Sequence, residues 1–459
     1  LSPGAAPDRI AAFRAVSFRS NSSGGCSAAA ASVFVIPSLL FSFRGFAMLR
    51  LSRSSGGNRT ILQMSVLLTA LLMSGCDQVE SVVNDVKSEI SSTPSAAPSP
   101  VPVSPVEQPA IVPTVPDPVV PPPPNPQEVA GRLLSMKPGE IDDTTLTQVA
   151  NLPEAAAMIT ELTIAGSHVT GAGLSQLPKY PQLKSVNMAG MSHLASGDLS
   201  SLGNVKSLVD VNLRATQAED NLLHGLATLP HLQSVQLDNT KVTSAGVAAL
   251  KACPELQSLS LQGTAVTDEA LIALADSPLR KLSVQDTGVT DAGVSALGRS
   301  TTLEELNIGG TRTSFQAFKT FKNPPLRFLN AGSTAFGVDG LVLIRNFKNL
   351  EELHLFQAGV IEQPKANVFR SLPKLRVLVL NNNLISDQGV DILLKGHKTL
   401  ERLELGGMKS ISDRGLAALV TNKALKYLNV HGTSCSSAGA RALKERLPEL
   451  KVYTEQGEF

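Results

Sequence analysis

The chain has 459 residues, with 40 lysines and arginines against 39 aspartates and glutamates, and no tryptophan. That balance excludes a global pull toward nucleic acid or an anionic membrane surface, and acidic and basic residues stay matched from residue 128 onward. Four cysteines in this length are too few for a disulfide-built scaffold.

In chain order, the first methionine is Met48. A positive segment (Arg50, Arg53, Arg59), an apolar run from Ile61 to Met73 and then Ser74-Gly75-Cys76 follow it. This is the three-part plan of a secretory signal, and its apolar run is too short to span a bilayer stably. The ending resembles a bacterial lipoprotein signal, although Met73 stands where that family usually has leucine. The resemblance implies a signal peptide over 48–75 and lipidation of Cys76. It also implies an envelope location, membrane-anchored and facing the periplasm or exterior. Cleavage elsewhere, with Cys76 incidental, is the competing reading. Residues 1–47, including "VFVIPSLLFSF", are expected to be a mis-called upstream extension with no structure of its own.

Residues 76–127 are expected to be a tether. Val79, Val82, Val83, Val86 and Ile90 fall on one helical stripe, a short amphipathic segment that is marginal alone. Between Pro94 and Pro126 lie 14 of the chain's 29 prolines. Proline fixes φ and removes donors, so this stretch can neither join a sheet nor propagate a helix. It is expected to act as an extended spacer of up to ~100 Å, rather than as a ligand for a proline-binding domain. Residues 128–158 open with "EVAGRLLSMKP", a helical pattern expected to cap the first repeat.

The remainder, 159–459, is a repeat. Apolar triplets begin at Leu162, Val186, Val211, Val235, Leu259, Leu282, Leu306, Leu329, Leu353, Leu378, Leu403, Leu428 and Val452, at intervals of 23 to 25 residues. Each unit alternates apolar and polar residues over a short strand, turns, and then carries a helical pattern such as "SAGVAALKACP" or "DRGLAALVTN". A single unit cannot bury its own apolar face, so the units must stack. The pattern resembles the leucine-rich repeat family. Its unit "CPELQSLSLQGTAVTDEALIALA" is similar to the cysteine-containing subfamily of F-box adaptors, bacterial effectors and surface proteins. The resemblance implies an α/β fold, a right-handed leucine-rich-repeat solenoid (horseshoe). A parallel sheet of about 13 strands would line the concave face, with short helices on the convex face.

Two columns test this reading. Only Cys253 keeps the subfamily's cysteine; Tyr180, Val205, Leu229, Phe347, Leu372 and Leu447 replace it elsewhere, with polar Asp276, Ser300 and His397 at three more positions. A buried, mostly apolar site is expected throughout. After the strand run Thr240, Thr264, Thr287, Thr311, Thr334, Asn383 and Thr433, expected to turn inward and bind the backbone of their own turn and of the adjacent repeat. Cys253 and Cys435 lie about seven strand spacings apart, roughly 30 Å, too far for a disulfide. The unit 353–377 departs most from the pattern, with Pro364 near the start of its outer segment.

No phosphate loop, GxSxG or HExxH is present, and the seven histidines are scattered. No enzymatic activity, cofactor, metal or nucleic acid is expected. The expected role is a monomeric binding module for a protein or peptide, held at the membrane by its N-terminal lipid. The alternative is a structural or adhesive surface solenoid that binds wall or matrix polymers. Residues flanking the apolar centre of each strand face outward, and they are small or polar in the early repeats. Later they become Phe328, then Glu352, His354 and Phe356, then Val377 and Val379, then Arg402 and Glu404, then Tyr427 and His431. An apolar cluster of Phe328, Phe356, Val377 and Val379 rimmed by polar groups is expected there as the partner site.

Overall fold

The computed structural model describes residues 124–361 and 368–459. Cys76, the tether up to residue 123 and Pro364 therefore lie outside the described residues, while Pro126 and Gln127, expected at the end of the tether, open the first helix instead because proline is tolerated in a helix's first turn. The repeat resolves into thirteen parallel strands. They are β1 Glu161–Thr163, β2 Ser185–Asn187, β3 Asp210–Asn212, β4 Ser234–Gln236, β5 Ser258–Ser260, β6 Lys281–Ser283 and β7 Glu305–Asn307, followed by β8 Phe328–Asn330, β9 Glu352–His354, β10 Val377–Val379, β11 Arg402–Glu404, β12 Tyr427–Asn429 and β13 Lys451–Thr454. Each pairs with the next in sequence order. A fourteenth, β14 Gly457–Glu458, turns back antiparallel on β13 and was not anticipated. It ends the stack with a hairpin, where Lys451 Nζ meets Glu458 Oε1 at 2.9 Å.

Strands β1 to β12 are three residues long because only one residue per strand must point inward between two turns. From Leu162 to Val452 the central residue of every triplet is buried, and so is the residue two further on, such as Leu237 or Leu405. Each such side chain contributes about 1.5–3 kcal/mol on burial, but only because its neighbours above and below complete the core.

After the strand the chain reverses through one residue in the left-handed region, at the same position in twelve successive units. The set is Gly166, Gly190, Ala215, Asn239, Gly263, Asp286, Gly310, Ser333, Gln357, Asn382, Gly407 and Gly432. Six are glycine, which adopts positive φ without penalty. At Gly263 a Cβ would also lie 2.4 Å from Asn239 Oδ1, so the Asn239 side chain would have to shift.

The threonine column turns inward. Thr240, Thr264, Thr287 and Thr311 are buried, and each hydroxyl donates to the carbonyl three residues earlier at 2.6 Å. Thr334 and Thr433 make the same bond while partly exposed. The expected threonine bond to the adjacent repeat is not made by these hydroxyls. Asn383 makes both kinds: its Nδ2 donates to Leu380 O and to Leu355 O of the preceding repeat, and its Oδ1 accepts from Ala358 and Val360 N–H. A carboxamide has the reach and the second function that a hydroxyl lacks.

Cys253, in the cysteine column, and Cys435, beyond the turn that follows β12, are free and buried. Tyr180 is buried with its hydroxyl donating to Leu146 O at 2.7 Å. His397 is buried with Nε2 against Phe369 O at 2.9 Å. Asp276 departs from expectation. It is exposed, and Ala275 takes the buried place because this unit is one residue shorter.

The outer segments are short helices, and six of them lock onto the one before through an aspartate. Asp387 accepts from Ser412 N and Oγ (2.7 and 2.6 Å) and from Gly415 N at 2.9 Å. Asp143–Thr170, Asp220–Thr243, Asp268–Thr290, Asp291–Ser314 and Asp413–Ser436 repeat this two-point latch. Each carboxylate sits at the N-terminus of the next helix, where unpaired N–H groups and the helix dipole favour it. Residues 126–156 form helices ahead of β1, at Pro126–Ser135, Asp143–Ala150 and Pro153–Ala156, with Leu133, Leu146 and Val149 buried.

Candidate functional site

The outward positions of the sheet form parallel rows, because every strand pairs in register with its neighbour. From β8 to β13 the first row runs Phe328, Glu352, Val377, Arg402, Tyr427, Lys451. The second runs Asn330, His354, Val379, Glu404, Asn429, Tyr453. Phe356 and His431, two residues beyond their strand centres' outward neighbours, are exposed, Phe356 at 38%.

This register corrects the expected apolar cluster. Glu352 stands between Phe328 and Val377, and His354 stands beside Val379 in the second row. The Phe328 ring is half-buried and meets the His354 ring edge-on, with centroids 5.2 Å apart. Apolar and polar side chains are therefore interleaved, because strict pairing alternates whatever the successive repeats supply.

Toward β13 the side chains stack. The Arg402 guanidinium lies 4.2 Å from the centre of the Tyr427 ring, and Tyr427 stacks on Tyr453 at 4.9 Å. Arg402 also binds Glu404 Oε1 at 2.6 Å, and Glu404 Oε2 accepts from Asn381 Nδ2. Burial pushes the Glu404 carboxyl up, but the bonds from Arg402 and Asn381 outweigh it and hold the group below its ordinary value. Burial also holds the His354 imidazole below its ordinary value, against the opposing pull of Glu352 and Glu404.

One feature was missed from the sequence. Two residues before each strand centre, from β6 to β12, stand Arg280, Glu304, Arg327, Glu351, Arg376, Glu401 and Lys426, strictly alternating in sign. They pair as Arg280–Glu304 (2.6 Å), Arg327–Glu351 (3.0 Å) and Arg376–Glu401 (3.1 Å), with Lys426 also on Glu401. The alternation was visible once the triplets were aligned. A shallow groove on the earlier repeats is lined by Ser234, Ser258, Arg280, Lys281, Glu304 and Glu305 among others. Its cations Arg280, Lys281 and Arg327 are already engaged by Glu304, Glu305 and Glu351. Leu384, 76% exposed, and Ile361 pair across an isolated bridge at the turn side of the sheet. Among the described residues, no three His, Cys, Asp or Glu side chains gather as a metal site. None of the helices there is long and apolar enough to cross a membrane.

Comparison with known proteins agrees with this architecture. A family model described as "Leucine Rich repeat" matches residues 252–275 and 276–298. No curated protein matches the sequence. Among solved structures, an internalin (InlF) from Listeria monocytogenes is similar at 16% identity, covering 68% of this chain and 94% of that one, with a TM-score of 0.50. A leucine-rich-repeat protein of Leptospira interrogans matches at 17% identity, covering 66% and 91%, with a TM-score of 0.38. The ectodomain of the plant membrane receptor kinase GASSHO1/SCHENGEN3 from Arabidopsis thaliana, solved in complex with Casparian strip integrity factor 2, matches at 16% identity. That match covers 67% of this chain and 43% of the receptor chain, with a TM-score of 0.43. Two units match the leucine-rich repeat model, and with a parallel one-strand-per-repeat sheet and short outer helices the described residues have the α/β fold of a leucine-rich-repeat solenoid.

Proposed function

We propose that this chain is a binding module, without catalytic activity of its own, that engages a protein or peptide on the sheet face of β8 to β12. The observation that carries the reading is the change of residue type along one face. Ser185, Ser234 and Ser258 give way to Phe328, Val377 and Tyr427 at the same row position. Half-exposed aromatic and branched side chains beside charged groups are the composition of a recognition surface. The partner contacts are Phe328, Glu352, His354, Phe356, Val377, Val379, Arg402, Glu404, Tyr427 and His431. The module acts as a monomer, tethered to a bacterial envelope membrane through lipid on Cys76 and extended from it by the proline-rich segment.

Two measurements test this. A photo-crosslinking residue at Phe356 should capture a discrete, saturable partner in cells, whereas one at Gln388 on the helix side should not. Equal capture at both positions, or capture of wall polymer alone, overturns the proposal in favour of an adhesive solenoid. Mass spectrometry of the native protein should find a lipid-modified N-terminal peptide beginning at Cys76, and Cys76→Ser should leave the membrane fraction. Peptides from residues 1–47, or membrane retention of Cys76→Ser, would remove the anchor from the reading.

A further inference from the structure

From β6 onward, the glutamates on the sheet face and its leading edge are matched to in-chain cations with one exception. Glu304 holds Arg280, Glu305 holds Lys281, Glu351 holds Arg327, Glu401 holds Arg376, and Glu404 holds Arg402, all at 2.6 to 3.1 Å. Among the described residues, Glu352 has no lysine or arginine within ion-pair distance, and Arg376 and Arg402 feel its charge only from further off. Its one ion-pair neighbour there is His354 Nε2, at the long distance of 3.9 Å, and burial holds that imidazole below its ordinary value. The Glu352 side chain is 48% exposed. Its strand-to-strand neighbours are Phe328 on one side and Val377 on the other.

That environment differs from the other unmatched acids of the first row. Glu161 pairs laterally with Ser185, and Asp210 lies between Ser185 and Ser234, so hydroxyls and water surround both. Glu352 lies between two apolar walls about 4.8 Å away on either side. Such walls exclude water from an approaching charge and strengthen the attraction. They also accept the aliphatic stem of a long basic side chain. The nearest arginine in the row, Arg402, is two strands away and committed to Glu404 and Tyr427.

We propose that the partner inserts an arginine or lysine side chain between Phe328 and Val377, its cationic head on the Glu352 carboxylate, with apolar partner residues beside it on Val379 and Phe356. This rests on the reading of the β8–β12 face as the binding face, and adds to it the chemistry of the anchor.

The test pans a random dodecapeptide library against the purified full chain, against Glu352→Gln, against Phe356→Ala and against Glu305→Gln as a control. Selection on the wild type and on Glu305→Gln should enrich peptides with Arg or Lys next to an apolar residue. Glu352→Gln should lose that preference, and peptides selected on the wild type should bind it about tenfold more weakly. Peptides that need Phe356 yet show no basic preference, or bind Glu352→Gln as well as the wild type, overturn the anchor and leave the binding face standing. Selection of no peptides, or of peptides indifferent to both Phe356 and Glu352, counts against the binding face as well.

Discussion

The carboxylate latches between outer helices predict a reversal of sign that no propensity scale contains. Gly415 sits in the first turn of the helix Asp413–Ala418, where alanine is ordinarily better than glycine by about 0.5–1 kcal/mol. Here a Cβ at residue 415 would lie 2.7 Å from Asp387 Oδ1 and 3.0 Å from Ile411 Cγ2. Gly415→Ala must therefore push the Asp387 carboxylate off three donors: Ser412 N, Ser412 Oγ and Gly415 N. Hydrogen bonds to a charged group contribute about 1.5–3 kcal/mol each. The latch is part-buried, so water recovers some of that, and a net loss of about 2–3 kcal/mol is expected for Gly415→Ala. Asp387→Ala should cost a similar amount. On the Asp387→Ala background the carboxylate is gone and only the Ile411 methyl must yield. Gly415→Ala should then be neutral or stabilising by up to about 1 kcal/mol. Urea unfolding of the four proteins, followed by circular dichroism, gives the cycle and a coupling of about 2–3 kcal/mol. Additive losses, or a Gly415→Ala variant as stable as the wild type, would refute the latch.

At the left-handed turn position, Gln357→Gly should stabilise the chain by about 1 kcal/mol, read as a higher urea midpoint, because glutamine at φ 49° carries a penalty glycine avoids. In a chain with Cys26 and Cys76 replaced by serine, Cys253 and Cys435 should react with a thiol reagent only after denaturation. Both are buried, and burial pushes the Cys435 thiol up to about 11. Burial holds His397 below its ordinary 6.5, so the unfolded chain takes up that proton first as pH falls. Stability should therefore decline on acidification below about pH 6.5, and His397→Gln, whose amide can still donate to Phe369 O, should flatten the decline in Tm measured down to about pH 5.

How much of this was legible follows from what each position must do. Leu259, Leu282 and Leu306 must all be large and apolar, so their spacing alone exposes the repeat. The left-handed column obeys an equally strict rule, yet Gly263, Asp286, Ser333 and Gln357 share a backbone angle and not a side-chain type. No residue alphabet reveals it without aligned turns. The latches lay between these extremes. "SDQG" at 386–389, "SDRG" at 412–415 and "TDAG" at 290–293 recur, and a search for helix caps linked to the next unit's glycine finds them. The extra strand β14 escaped because a two-residue hairpin has no periodicity of its own.

The binding face was legible only as a set of outward positions. Which of them touch depends on register, and register is preserved although the units vary from 23 to 25 residues. The variation is absorbed outside the strands, as at Asp276, where the chain gives up one residue and buries Ala275 instead. A one-residue change inside a strand would exchange its inner and outer sets, so insertions survive only where they leave the rows intact. The outward rows are thus held in fixed geometry while their composition is free of the core's demands. That freedom lets Glu352 stand without a cation between Phe328 and Val377, and it is also why alternation identified Glu352 as outward-facing but could not show that it stood unmatched.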